Sequence, residues 1–81
     1  MNAEPADDPV VVEERAEIVA HVWKVLVANG QTVDEGQTLA VLESMKMEIP
    51  VCAGASGRII ELLADEGQIV QEGDVLVRIA H

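Results

Sequence analysis

The chain has 81 residues, a formal net charge of −10 at neutral pH and 49% hydrophobic residues. This length allows one small domain with a single core, and the charge disfavours binding to nucleic acid or anionic membranes. No apolar run approaches the roughly 18 residues that span a membrane, and the N-terminus lacks the pattern of a signal peptide. The single cysteine, Cys52, excludes an internal disulfide and is expected in the core. We therefore expect a cytoplasmic protein.

The N-terminal segment, residues 1–14, contains five acidic residues and no lysine or arginine. Its two prolines and small residues predict a mobile acidic tail, which leaves residues 15–81 for the folded domain. The run Val10-Val11-Val12 allows an edge strand as an alternative.

Short apolar runs follow from Arg15 onward, and turn signals rich in glycine separate them. Trp23 is the only aromatic residue, so the core must consist of aliphatic side chains, which favours many short strands. The predicted strands cover residues 17–20, 21–28, 31–33, 38–43, 47–53, 58–64, 68–70 and 74–80. Residues 58–64 alone also have the propensity of a helix.

An internal repeat decides between these two structures. A shift of 37 positions overlays residues 20–42 on residues 57–79 with seven identities. The identical pairs are Leu26/Leu63, Gly30/Gly67, Gln31/Gln68, Val33/Val70, Glu35/Glu72, Gly36/Gly73 and Leu39/Leu76. Because the first half is rich in valine, the second half is predicted as strand too. Two similar halves predict an all-β fold, a flattened barrel or sandwich of two antiparallel sheets with pseudo-two-fold symmetry.

The predicted hairpin in the middle of the chain has an unusual tip. Apolar runs at 39–42 and 49–53 flank Glu43-Ser44-Met45-Lys46-Met47-Glu48, which places the tip at Met45-Lys46. Two-residue hairpin loops favour Asn-Gly because both residues need positive φ, which Met and Lys disfavour. Either Met45 and Lys46 occupy the tip because of their function, or the loop is longer than two residues and Lys46 merely solvates it. The repeat also predicts that Lys46 and the chain ends lie at opposite ends of the molecule.

The Met-Lys-Met motif with Glu43 before it resembles the attachment motif of biotinyl domains in the biotin/lipoyl attachment family. The resemblance implies that a biotin protein ligase joins biotin to Lys46 as an amide and recognises Glu43, Met45, Met47 and Glu48. It also implies a non-catalytic biotin carrier. Such a carrier takes carboxybiotin between the biotin carboxylase and carboxyltransferase sites of an acyl-CoA-type carboxylase.

The resemblance covers roughly residues 15–80 and implies the family's barrel-sandwich hybrid fold. Asn29-Gly30 leaves no room for the inserted thumb of some carriers, so no role of the thumb carries over. The other lysine, Lys24, lies within a predicted strand beside Trp23 and is a poor acceptor. Two alternatives stay open: a lipoyl carrier, whose usual motif is Asp-Lys-Ala, and a biotinylated interaction module without a carboxylase role.

The remaining polar residues suggest no catalytic or metal site. There is no phosphate loop, no nucleophile at a glycine-rich elbow and no pair of cysteines. His21 and His81 lack the spacing of metal ligands. By itself the domain is expected to be a monomer.

Overall fold

The structure, a computed structural model, describes residues 10–81 as an all-β domain. The strands are β1 (Val11–Arg15), β2 (Ala20–Val25), β3 (Thr32–Val33), β4 (Thr38–Ser44), β5 (Met47–Cys52), β6 (Gly57–Leu62), β7 (Ile69–Val70) and β8 (Val75–Ala80). The predicted fold class is confirmed, and the helical alternative for residues 58–64 is wrong because β6 covers most of that range. Within residues 10–81 no helix is present that could cross a membrane.

Two four-stranded antiparallel sheets make up the domain. Sheet A has the order β1-β8-β6-β3 and sheet B the order β5-β4-β2-β7. Their inward-facing aliphatic side chains form one core, and its largest fully buried members include Leu39 and Leu42 from sheet B and Ile59 and Ile79 from sheet A. No polar or charged residue in the described part of the chain is buried. Burial of aliphatic surface is therefore the main force that holds the sheets together.

The 37-residue repeat relates the two sheets strand by strand. A shift of 37 carries β2 onto β6 and β3 onto β7, residue for residue, and places β1 within β5 and β8 within the shifted β4. Even the bulge between Val22 and Lys24 recurs between Ile59 and Glu61. The repeat therefore relates residues 10–44 to residues 47–81, a longer range than the sequence identities indicated.

The same symmetry separates the hairpin tip from the chain ends. Ser44 and Met47, which close the hairpin, are equivalent by the 37-residue shift to His81 and Val10. The His81 amide donates to the Val10 carbonyl at 2.8 Å, so the described chain ends meet where the equivalent hairpin would close. Since the pseudo-two-fold exchanges these two places, they lie at opposite ends of the sandwich.

Strand β1 corrects the predicted N-terminal boundary. Val11 to Glu14, which composition assigned to the mobile tail, pair with β8 as an edge strand. Glu13 points outwards and contacts Arg78 at 2.9 Å, while Val12 packs against the core and the Glu14 carboxylate accepts from the Gly54 amide. The charged residues of this segment thus belong to an edge strand and not to the predicted mobile tail. Residues 1–9 of the predicted tail lie outside the described residues.

The predicted strand at residues 17–20 is also wrong. Glu17 to Val19 form a bend, and β2 begins only at Ala20. Ala16 is the last residue held by sheet A, because its amide donates to the Asp74 carbonyl at 2.9 Å and its carbonyl accepts from the Gly73 amide at 2.8 Å. The following residues must cross from sheet A to sheet B and cannot pair with either.

Cys52 is exposed, so its predicted place in the core is wrong. Neighbouring residues of a strand point to opposite faces, and Val51 takes the buried position in β5. The Cys52 thiol lies instead 3.9 Å from the Thr38 hydroxyl on the next strand.

Two kinds of glycine shape the sandwich. Gly30 and its repeat equivalent Gly67 have φ of 87° and 89°, as the recurring turn glycines predict. Gly57 has a different role, because a Cβ there would lie 2.1 Å from the Ala80 carbonyl oxygen. Only glycine therefore lets β6 approach β8 this closely.

Candidate functional site: the tip of the β4–β5 hairpin

The hairpin closes with a two-residue loop. Ser44 pairs with Met47, which leaves only Met45 and Lys46 between the strands. Both have positive φ, 53° for Met45 and 66° for Lys46. Positive φ at both central residues is the mark of a type I′ turn, whose twist matches that of the flanking strands. The alternative of a longer loop is wrong.

Burial at the base of the hairpin explains why the loop is so short. Leu42 is fully buried and pairs with Ile49, which packs against the core. A slip of one residue would turn these side chains to the solvent face, so the core sets the register. That register leaves two residues for the turn. Each costs roughly 1–2 kcal/mol in the left-handed region, because neither is Gly, Asn or Asp.

The side chains at the tip are presented to solvent. Met45 is 89% exposed and Met47 58% exposed, and Lys46 between them is exposed as well. Among the described residues, no hydrogen bond or ion pair involves the Lys46 ammonium. An enzyme can therefore approach this amine without first breaking a contact.

Two carboxylates lie directly behind the tip. Glu43 and Glu48 face each other across the β4–β5 ladder. Glu43 contacts the His21 ring of β2, with Nε2 to Oε1 at 3.1 Å. The structure thus brings all five predicted site residues together in one hairpin. Sequence reasoning missed His21, because only the β2–β4 register places it opposite Glu43.

The other candidate groups lie elsewhere and do not converge. Lys24 lies in β2 with its Nζ 5.8 Å from the centre of the Trp23 ring, a cation–π distance. The His81 ring lies 2.7 Å from the Ser56 carbonyl at the opposite end of the molecule from the tip. No cluster of three metal-ligating side chains occurs within residues 10–81.

A crevice of about 290 Å³ opens between β1 and β5. Its apolar lining includes Ile18 and Pro50. Of its polar lining residues, Glu14 accepts from the Gly54 amide at 2.6 Å and Arg15 donates to the Gly73 carbonyl at 2.7 Å. These groups hold the two sheet edges in place.

Comparison with known proteins decides the family. The family model described as "biotin-requiring enzyme" matches residues 9–79. The chain belongs to the biotin/lipoyl attachment family. It is 45% identical over 65 residues to the biotin/lipoyl attachment protein of Bacillus subtilis, covering 80% of this chain and 89% of the relative. It is 46% identical over 66 residues to a biotinylated protein TB7.3 homolog of Mycobacterium leprae, covering 82% and 93%.

The solved structures of this family include much larger enzymes. A single-chain, multi-domain long-chain acyl-CoA carboxylase matches with a TM-score of 0.82 and 28% identity, over 100% of this chain but 8% of that chain. The present chain is a biotin carrier domain, homologous to the biotinyl domains of carboxylases, and its cofactor is biotin. An exposed lysine at a hairpin apex fits a covalently attached group.

Proposed function

We propose that Lys46 is the residue to which a biotin protein ligase attaches biotin. The carrying observation is that its ammonium stands at the apex of a two-residue turn, between two exposed methionines, without a polar contact in the described chain. Lys24, in contrast, lies within β2 against the Trp23 ring. Lys24 is exposed as well, but it lies within a paired strand, and its difference in position from the turn residue Lys46 supports Lys46 as the acceptor.

The ligase recognises the residues around this lysine: Glu43, Met45, Met47 and Glu48. Exposed methionines offer an adaptable apolar surface, and the two opposed carboxylates add negative charge behind it. Amide formation joins a free amine to an activated acyl group, and the ligase supplies that activated acyl group.

The product is an amide, so Lys46 loses its positive charge and the formal net charge changes from −10 to −11. When bound, biotin supplies the chemistry of taking up and releasing a carboxyl group. The chain itself holds the attachment point on a rigid hairpin and raises the local concentration of the cofactor near its partners.

The domain serves as a non-catalytic carrier between the biotin carboxylase and carboxyltransferase sites of an acyl-CoA-type carboxylase. The similarity to a domain of a long-chain acyl-CoA carboxylase supports this role. The exposed Cys52 thiol fits a reducing, cytoplasmic setting.

Incubation with a biotin protein ligase, ATP and biotin tests the acceptor. We expect one biotinyl group per chain, located on Lys46 by mass spectrometry after digestion. Lys46→Arg is expected to abolish the label, and Lys24→Arg, which keeps the fold and the tip, is the matched control. Label on Lys24, or label that survives in Lys46→Arg, would contradict the proposal.

In the same assay Met45→Asp combined with Met47→Ala should slow labelling, and an unchanged rate would remove the methionines from the recognition surface.

A further inference from the structure

The pseudo-two-fold symmetry permits a comparison of the outer faces of the two sheets. On sheet A the paired strands β1, β8 and β6 place Glu13, Arg78 and Glu61 in one row. Arg78 donates to Glu13 through Nε at 2.9 Å and to Glu61 through Nη1. The charges in the centre of this face are thus paired with one another within the domain.

The equivalent row on sheet B carries different chemistry. It consists of Pro50, Val41 and Lys24, with Val41 at the position of Arg78 and Pro50 at the position of Glu13. Trp23, in the bulge of β2, is 43% exposed on the same side, and Ile69 of β7 is 62% exposed. We name these four apolar residues the Trp23 face: Trp23, Val41, Pro50 and Ile69.

Acidic residues border the Trp23 face on the side of the hairpin tip. His21, Glu43 and Glu48 form the next row, in which Ile69 of the Trp23 face lies beside His21, whereas the equivalents of these three on sheet A are Arg58, Ala80 and Val11. Directly opposed like charges destabilise a β ladder, so Glu43 and Glu48 weaken the hairpin that bears them. Acylation of Lys46 then removes the nearest lysine charge. The modified tip therefore presents two carboxylates next to an apolar strip.

The distance along the strand suits a partner that acts on the tip. Val41 lies three residues before the end of β4 at Ser44, which is about 10 Å along the strand. A protein seated on the Trp23 face would therefore lie about 10 Å from the strand end that bears the tip.

We propose that the Trp23 face docks the biotin carboxylase subunit, through a surface of that enzyme that is apolar at its centre and basic at its rim. The inference rests on the proposed function of Lys46. Biotin carboxylase meets the modified chain, in which the Lys46 charge has been lost, whereas the ligase meets the unmodified chain. Loss of that charge therefore favours a basic surface on biotin carboxylase rather than on the ligase. Trp23 is the anchor, because large aromatic side chains contribute most to protein interfaces.

Steady-state carboxylation of the fully biotinylated chain tests the face. The assay uses biotin carboxylase from the same organism with ATP and bicarbonate. Trp23→Ser is expected to raise the KM for the carrier about tenfold with little change in kcat, the loss expected for an interface anchor. Val41→Arg, which copies the residue of sheet A, should raise KM as well. The matched control is Ile60→Ser, because Ile60 is the repeat equivalent of Trp23 and is 47% exposed; its KM should stay within about twofold.

The possible outcomes test the docking face separately from the proposed carrier function of Lys46. A wild-type chain without biotin on Lys46, or without carboxylation at any concentration, would overturn the proposed function. Normal carboxylation with equal KM values for Trp23→Ser and Ile60→Ser would overturn the docking face alone. If Trp23→Ser slowed biotinylation by the ligase as much as it slowed carboxylation, the face would be assigned to the ligase instead.

A second measurement covers variants that fold poorly. On addition of biotin carboxylase to the ¹⁵N-labelled wild-type carrier, amide signals of β2, β4 and β5 should shift or broaden more than those of β6 and β8. Uniform broadening over both sheets would contradict the proposal.

Discussion

At the scale of single residues, the residues that a type I′ turn favours differ from the residues that the hairpin tip presents to solvent. Asn-Gly would adopt the type I′ turn at little cost, but neither residue bears an amine or a long apolar group. Met45 and Lys46 adopt positive φ because the pairing of buried Leu42 with half-buried Ile49 sets the register around them. Burial of the core therefore offsets the free-energy cost of positive φ in the turn, and that cost falls at the position of the lysine.

Met45→Asn is expected to stabilise the domain, since asparagine tolerates the left-handed region. We expect a gain of about 1 kcal/mol in the free energy of unfolding, measured by urea denaturation. Met45→Ala is the control, because alanine keeps the Cβ and with it the strain. If the two variants have the same stability, the positive φ of residue 45 carries no measurable cost.

At the scale of elements, an ionic row holds the edge strand β1 on sheet A. Arg78 of β8 bonds Glu13 on one side and Glu61 on the other, and Arg15 contacts Glu13 at 2.5 Å. The hydrogen bond from Arg78, and after it that from Arg15, holds the pKa of the Glu13 carboxyl below its ordinary value of 4.5.

The lowered pKa of Glu13 gives stability a defined pH dependence. A carboxyl whose pKa is lower in the folded than in the unfolded chain stabilises the fold above the unfolded-state pKa. The contribution is lost as the pH falls through the folded-state pKa. Glu13→Gln should therefore unfold more readily than wild type near neutral pH, and the difference should shrink between about pH 6 and pH 3.

Urea unfolding of both proteins over that pH range checks this prediction. Glu35→Gln is the control, because the Glu35 carboxylate has no ion pair among the described residues. A difference between Glu13→Gln and wild type that persists at the acid end would show that it does not come from the ionised carboxylate.

At the scale of the whole molecule, symmetry and charge together define how the carrier meets its partners. The pseudo-two-fold places the tip at one end of the sandwich and the described chain ends, Val10 and His81, at the other. The net charge of −10 should steer the molecule towards basic surfaces.

Carboxylation of the biotinylated chain by a separate biotin carboxylase should therefore slow as salt is added. The Debye length falls from about 30 Å at 0.01 M to about 8 Å at 0.15 M ionic strength, which screens long-range attraction. The expected result is a drop in kcat/KM over this range with kcat nearly constant. Free biotin is the control substrate, and an equal drop for it would place the salt effect in the enzyme rather than in the encounter.

The sequence by itself determined most of the strands, their repetition and the motif that bears Lys46. A 37-residue repeat with glycine turns is a local pattern, and alternation of apolar residues predicts strands without knowledge of their partners. The Met-Lys-Met motif is local too, which is why all five predicted site residues proved to share one hairpin.

Only the tertiary structure decided which strand face is buried and which distant residues meet. Cys52 is exposed because Val51 takes the inward position, and residues 11–14 are ordered because β8 pairs with them. His21 reaches Glu43, and Met45 and Lys46 adopt positive φ, because the core sets the register of β2, β4 and β5. Register depends on packing between segments far apart in the chain, and periodicity within one segment does not contain that information.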